Sequence, residues 1–168
     1  MMITFTEKKD FSLPSYQEIP DVGLYLDQCA KYINSYLADF PEMNVTPSMI
    51  SNYAKQKLIN RISKKRYSRD QIAVLILINL IKNILSIDNI RLLLETMQND
   101  TGTNKDMYEY FCRALITSYE NLFSTEKDNS SSALTEQQEI LSRIAEGAAY
   151  KMYLEHYFSL LADKKTDE

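Results

Sequence analysis

The chain has 168 residues, of which 45% are hydrophobic and 25% charged, and its formal net charge is −4. This length suits one compact domain, or a small domain with a helical extension. No apolar run is long enough to span a membrane, and the N-terminus lacks the charged-then-apolar order of a signal peptide. We therefore expect a cytoplasmic protein without a membrane partner.

The charge is distributed unevenly along the chain. Residues 43–69 hold seven of the 19 Lys and Arg residues and no Asp or Glu, so the other 12 basic residues are outnumbered by 23 acidic ones. Such asymmetry is typical of a surface that meets phosphates. The alternative is that these charges form an ordinary solvated face. The basic residues are Lys55, Lys57, Arg61, Lys64, Lys65, Arg66 and Arg69.

The first forty residues predict an arm and a helix. Residues 1–20 should form an extended arm, because Pro14 and Pro20 disfavour helix in the residues before them. A long amphipathic helix is predicted from about Val22 to Phe40, where apolar residues recur at intervals of three and four. Pro41 should end it.

A second, short helix begins with a clear signal. Thr46 can cap its free amides, and Pro47 suits the first helical position because it has no N–H to leave unpaired. Helical spacing then divides the segment into two faces. The inward face is predicted to contain Ile50, Tyr53, Ala54 and Leu58, and the polar face Ser48, Ser51, Asn52 and Lys55.

Further helices follow a charged connection. Residues 59–68 are predicted to form a loop or a short two-stranded β element, after which Ser68 should cap an apolar helix from about Arg69 to Leu85. Ser86 should cap the next helix. A polar linker at 98–104 precedes a helix from Lys105 to Phe123. The last helix is predicted at about 134–162, opened by a capping box of Thr135 and Gln138 after a solvated loop at 124–132.

Three segments resemble MerR-type regulators. Residues 45–59 are similar to their recognition helix, which often reads V-T-x-x-T-I-R-Y-Y-E-x-x-G-L-I. Residues 64–72 resemble the wing exit Y-R-x-Y-S-x-x-D-[IVL], and residues 85–91 resemble F-S-L-x-E-I-R. Three matches in order are moderately specific, whereas one alone would be weak. The positions in register in the first segment are Thr46, Ile50, Tyr53, Leu58 and Ile59.

Gln71 replaces the acid of the wing exit, and the other departures from that pattern concern the helix segment. Lys57 stands where a glycine is usual, and Ser51 and Asn52 replace an arginine and a tyrosine. Base preference therefore cannot be carried over. The segments LPSYQEIPDVGLYLDQ and TPSMISNY also resemble a family of small bacterial proteins of unknown function, over roughly residues 11–120.

Taken together, these features predict a mostly α fold: a MerR-like winged helix-turn-helix at 21–98, followed by two C-terminal helices within 105–168. The resemblance implies a sequence-specific DNA-binding transcriptional regulator, acting as a repressor on double-stranded DNA. Since one helix gives limited discrimination, we expect a homodimer on inverted half-sites, with the C-terminal region packing on the first domain or supplying the dimer contact. A small-molecule effector is left open as a further partner.

The residues expected to contact DNA have different roles. Ser51, Asn52 and Lys55 could reach base edges or phosphates, and amides near Thr46 and Ser48 could hold a phosphate. The basic residues after the helix would contact backbone phosphates. The full predicted set is Thr46, Ser48, Ser51, Asn52, Lys55, Lys57, Arg61, Lys64, Lys65, Arg66, Tyr67 and Arg69. Tyr53 is expected in the core, whereas for Tyr67 core and phosphate contact are evenly balanced.

Other functional classes find less support. No nucleophile–base pair, glycine-rich phosphate loop or HExxH motif occurs, so we expect neither an enzyme nor a bound metal or cofactor. Cys29 and Cys112 should be buried hydrophobes, and His156 packed or on the surface. Twelve tyrosines raise the idea of a ligand pocket, although aromatic stripes are more often core or interface. The main alternative is a protein-interaction module that keeps the winged helix but no longer binds DNA.

Overall fold

The computed structural model describes residues 10–99, 103–123 and 136–166. Its helices, in chain order, are α1 (Leu26–Ser35), α2 (Pro47–Lys55), α3 (Arg69–Ile81), α4 (Ile87–Asn99), α5 (Asn104–Phe123) and α6 (Glu136–Thr166), with 3₁₀ turns at Tyr16–Glu18 and Pro41–Met43. The prediction of a mostly α protein is therefore confirmed. The chain divides into two compact units, 1–123 and 124–168. None of the described helices combines the length and apolarity needed to cross a bilayer.

The core of the first unit is built around α3. Every residue from 71 to 81 is buried, because this helix is apolar on all sides and must be covered all round. It packs against α5, while α1 packs against α2. The predicted inward positions Ile50, Tyr53 and Leu58 are buried, and Ala54 is half-buried. The α2 face predicted from helical spacing is thus the one that joins the core.

Helix α1 is shorter at both ends than predicted, so the expected bounds of Val22 and Phe40 were wrong. At its start, Gly23 has a φ of +78°, and the backbone of Leu24 pairs with that of Tyr67 through N–H···O bonds of 3.0 and 2.8 Å. After its end, tight turns replace the helix, and Pro41 opens a 3₁₀ turn. Leu37 is still buried, so the apolar pattern predicted burial beyond the true helix end.

The predicted helix caps are confirmed in the described region. The hydroxyls of Thr46, Ser68 and Ser86 accept from amides three residues ahead, at 3.2, 3.3 and 3.2 Å. Helix α3 ends at Ile81, before the predicted Leu85, because the Ile81 carbonyl accepts from two amides in a tight turn. The predicted linker at 98–104 is shorter, since α4 continues to Asn99. Residues 1–9 of the arm, the 124–132 loop and the Thr135 capping box lie outside the described residues.

The described part of the arm is bound to α3 and α5. The Tyr108 hydroxyl donates to the Pro14 carbonyl at 2.7 Å. The carboxylate of Asp70, at the start of α3, accepts from the Tyr16 hydroxyl at 3.1 Å and from the side-chain amide of Asn104 at 2.6 Å. These bonds hold the arm as irregular backbone with one 3₁₀ turn, instead of the fully extended segment that was expected.

A β-sheet is not seen in the described ranges, which contain only isolated bridges at Leu24–Tyr67 and Ser63–Arg66. The described helices follow one another in the predicted order, with the apolar α3 after residues 59–68, called here the basic connection. The winged-helix assignment goes further than this order and is considered under the proposed function.

Gly23→Ala should lower the free energy of unfolding by about 1–2 kcal/mol, because an L residue at this positive φ is strained. The added Cβ would also lie 3.1 Å from the Arg66 Cβ. The measurement is chemical denaturation followed by circular dichroism. Gly147→Ala is the matched control: nothing lies within 4 Å of its new Cβ, and alanine favours the helix by about 0.5–1 kcal/mol. Equal midpoints for wild type and Gly23→Ala would contradict the assigned backbone conformation.

Candidate nucleic-acid interface

The polar side of α2 is the side that meets solvent. Ser48, Asn52 and Lys55 are exposed, as is the cap residue Thr46, whereas Ser51 is half-buried. This division follows from burial of Ile50 and Tyr53 on the opposite side. The residues that were predicted to face a partner are therefore brought together on one helix surface.

Helix α2 ends in a Schellman motif that a lysine occupies in place of glycine. The backbone amide of Leu58 donates to the Tyr53 carbonyl at 3.1 Å, and that of Lys57 donates to the Ala54 carbonyl at 3.0 Å. Lys57 has a φ of +59°, which costs a non-glycine residue about 1 kcal/mol. Its exposed ammonium lies just beyond a helix C-terminus, where positive charge is favourable. Arg91 of α4 adds a cap by donating to the Gln56 carbonyl at 3.0 Å.

The segment before α2 is held by side chains from two other helices. Asn34 of α1 donates to the Val45 carbonyl and accepts from its amide, both at 2.8 Å. Lys82 donates to the Asn44 carbonyl at 2.6 Å, and Asn79 donates to the Met43 carbonyl. Three consecutive carbonyls are thus paired with long-range side chains. This set, called here the carbonyl tether, fixes where α2 begins.

After α2, Ser63–Arg66 form a tight turn, called here the basic turn. The Arg66 amide donates to the Ser63 carbonyl at 3.0 Å, and the two central residues, Lys64 and Lys65, have φ values of +51° and +57°. Positive φ at both central positions is what a type I′ hairpin turn requires, and Asn-Gly normally supplies it. Two exposed lysines at these positions therefore carry backbone strain of about 1–2 kcal/mol each.

Three residues predicted to contact DNA are already engaged within the protein. Tyr67 is only 4% exposed and belongs to the core, which decides between its two predicted roles. Arg69 is half-buried against the arm and donates through Nε to the Ile19 carbonyl at 2.8 Å. Arg66 is exposed, but its guanidinium lies 5.0 Å from the Tyr25 ring centroid and donates to the Tyr25 hydroxyl at 3.1 Å.

The cations that remain available are fewer than the seven in residues 43–69, called here the basic window. Five exposed residues make no hydrogen bond or ion pair to another described residue through their charged groups: Lys55, Lys57, Arg61, Lys64 and Lys65. Arg69 is not counted among them because its guanidinium anchors the arm, and its predicted contact with a phosphate stays a prediction.

Residues 14–122 match the family model described as a domain of unknown function, DUF1836. The chain belongs to this family. The match spans most of the first compact unit. No curated protein and no solved structure matches the chain significantly. The resemblance to a family of small proteins of unknown function is thus confirmed, whereas their bacterial source and the MerR-type resemblance stay predictions.

In this DUF1836 chain, Gln71 organises the basic connection, a role that the sequence did not reveal. Its side-chain oxygen accepts from the Ser68 amide at 2.9 Å, which completes the cap of α3. Its amide nitrogen donates to the carbonyls of Asn60 and Arg61, at 2.9 and 3.2 Å. A buried amide is needed because a carboxylate could accept but not donate. The departure from the MerR-type pattern, which has an acid here, therefore has a local physical reason.

Burial makes the two cysteines of the family domain unreactive. Cys29 and Cys112 are buried as predicted, and burial raises the pKa of their thiols to about 12 and about 11. Both are protonated at neutral pH.

In the described residues no three His, Cys, Asp or Glu side chains cluster as metal ligands would. Of the tyrosines proposed for a pocket, Tyr108 is fully buried, whereas Tyr110 of the same helix is exposed.

Gln71→Glu should lower the free energy of unfolding at neutral pH by about 1–3 kcal/mol, because two carbonyls lose the donor of part-buried hydrogen bonds and face a carboxylate. The pKa of the introduced acid should be raised in the folded state, so the loss should shrink as pH falls and the protonated acid regains one donor. Denaturation midpoints across pH 4–8 measure this effect.

Gln28→Glu is the matched control for that substitution. Gln28 has the same place in the first turn of α1 and accepts from the Tyr25 amide at 2.9 Å, but it is exposed. An acid is favourable at this position, so stability should be unchanged or slightly higher. Equal effects of the two substitutions would mean that Gln71 does not hold the connection.

Proposed function

We propose that this protein is a sequence-specific DNA-binding transcriptional regulator, acting as a repressor, with a winged-helix arrangement in its first unit. In this proposal α2 enters the major groove and the basic turn lies on the adjacent phosphate backbone. The observation that carries the proposal is the pairing of an exposed polar helix surface with a strained, lysine-tipped turn, inside a window without acids.

The geometry supports separate roles for the helix and the turn. The exposed residues of α2 include Ser48 and Asn52, whose side chains can hydrogen-bond to base edges, and an asparagine can bind adenine through two bonds. Lys64 and Lys65 at the tip of the basic turn are suited to phosphates, which give affinity but no sequence information. Specificity should therefore depend on α2 and affinity on the cations.

Recognition needs a helix that is already in place. The carbonyl tether fixes the start of α2, and Arg91 and the Schellman motif fix its end. A preformed helix loses little conformational entropy on binding, so more of the contact energy appears as affinity. A homodimer on inverted half-sites would double the recognition surface and is part of the proposal.

Binding to duplex DNA should depend steeply on salt. With five available cations, the slope of log K against log salt concentration is expected to be about −4 to −5. Lys64→Ala with Lys65→Ala should weaken binding to every duplex by about 10- to 100-fold near 100 mM salt and make the slope shallower by about 2. Gel shifts or fluorescence anisotropy across a salt series, using DNA upstream of the protein's own gene and an unrelated duplex, measure both effects.

Lys31→Ala with Arg113→Ala is the matched control for the lysine pair. These exposed cations lie on α1 and α5, outside the basic window, and their removal changes the net charge equally. The control should retain the wild-type slope. If wild type fails to bind at low salt, or binds without a salt slope, the DNA proposal fails and the protein-interaction module becomes the better account.

Asn52→Ala should relax discrimination at one A·T position, because a bidentate asparagine–adenine pair contributes about 1–3 kcal/mol. Selection from random duplexes with wild type and variant measures the change in consensus. Asn60→Ala makes the same chemical change at an exposed position in the connection and should leave the consensus intact. An unchanged consensus for Asn52→Ala would remove this residue from the base-reading set.

A further inference from the structure

A cavity of about 440 Å³, open to solvent, lies on another side of α2 from its exposed polar residues. It is bordered by the Pro41–Met43 turn, α2 and the connection from α3 to α4, and its volume is within the range of small-molecule sites. The apolar side chains in its wall include Met49, Leu85, Ile87 and Ile90. These differ from the residues to which the DNA proposal assigns a role.

Lys82 supplies the cavity with a partly buried cation. Its ammonium donates to the Asn44 carbonyl at 2.6 Å, which uses one of its three protons. Among the described residues no carboxylate lies within ion-pair distance of it, and burial lowers the pKa of this amine. An anion beside the ammonium would offset the cost of that desolvation.

Helix α4 adds favourable potential for an anion. Leu85 and Ile87, which flank its cap residue Ser86, both line the cavity, so the helix begins at the cavity wall. The N-terminal end of a helix carries a partial positive charge. The C-terminal end of α3 carries a partial negative charge, which would disfavour an anion. This charge is partly neutralised, since the Ile81 carbonyl accepts from the amides of Ile84 and Leu85.

One carboxylate, that of Glu42, also lines the cavity and would repel an anion. Glu42 is exposed, whereas Lys82 is half-buried. Because solvent and salt screen an exposed charge more strongly than a partly buried one, the attraction to Lys82 should outweigh this repulsion. The balance of charges in the cavity therefore favours an anionic group attached to an apolar body.

We propose that this cavity is a binding site for a small apolar carboxylic acid, with the carboxylate on Lys82 and the apolar part against the half-buried side chains of Met49 and Ile87. Binding of the acid at this site does not require that the protein bind DNA. An occupant would share the Lys82 ammonium with the Asn44 carbonyl, and so would contact the carbonyl tether directly in front of α2.

The test uses 3-phenylpropionate and its neutral counterpart 3-phenylpropionamide, titrated into the ¹⁵N-labelled full chain at constant ionic strength. The acid should shift the amide signals of Asn44, Met49 and Ile87 in a saturable way. The amide should bind at least about 10-fold more weakly, because it has the same shape without the charge. Equal affinities, absence of saturable shifts, or shifts centred elsewhere would overturn the proposal.

Two substitutions assign the charge dependence. Lys82→Met keeps most of the aliphatic length and should weaken acid binding by about 10-fold. Since this variant also loses a bond of the carbonyl tether, Glu42→Gln provides an independent test at an exposed position: it should tighten acid binding by about 2- to 3-fold and leave binding of the amide unchanged.

Asp27→Asn is the matched control for Glu42→Gln, because it removes an exposed carboxylate on α1, away from the cavity lining. Its affinity for the acid should equal that of wild type. Tightening by Asp27→Asn to the same extent as by Glu42→Gln would mean that only the net charge matters, and this result would overturn the site assignment.

Discussion

The structure depends on the pairing of three consecutive backbone carbonyls, those of Met43, Asn44 and Val45, with side chains from α1 and from the end of α3. This segment belongs to no α-helix, so its carbonyls have no intrahelical partners, and a buried carbonyl left unpaired is costly. Asn79 shows the cost directly, because it lies in the apolar α3 with its Oδ1 unpaired among the described residues. Its side-chain nitrogen donates to the Met43 carbonyl. Placing α2 therefore requires polar groups inside the core.

Contacts within the protein also divide the cations of the basic window into two groups. A positive charge can serve a partner only if the protein does not already use it. Arg69 binds the arm and Arg66 lies against Tyr25, so these two contribute to the fold, whereas the lysines of the basic turn extend into solvent. Arginine suits the internal roles because its planar fork can stack and donate at once. Counting charges in the sequence overestimates the surface available to a phosphate backbone.

What could be predicted from the sequence was local. The caps at Thr46, Ser68 and Ser86 were correct because a hydroxyl and the amide three residues ahead are bound by the geometry of one helical turn. Contacts such as Asn34–Val45 or Arg91–Gln56 have no local signal, since any exposed position could carry the same residue. The predicted end of α1 failed for a related reason: apolar spacing reports burial, and Leu37 is buried without being helical.

The basic turn is where local preference and structure disagree most. An Asn-Gly pair would adopt its two positive φ values with little strain, yet Lys64 and Lys65 occupy them. The conformation persists because the surrounding contacts determine it: the Leu24–Tyr67 bridge, the Ser63–Arg66 bond and the Arg66–Tyr25 stack all act on the exit of the turn. A strained backbone that the neighbouring structure maintains is common at functional positions. Asparagine and glycine would satisfy the shape with less strain, so what the two lysines add at these positions is positive charge.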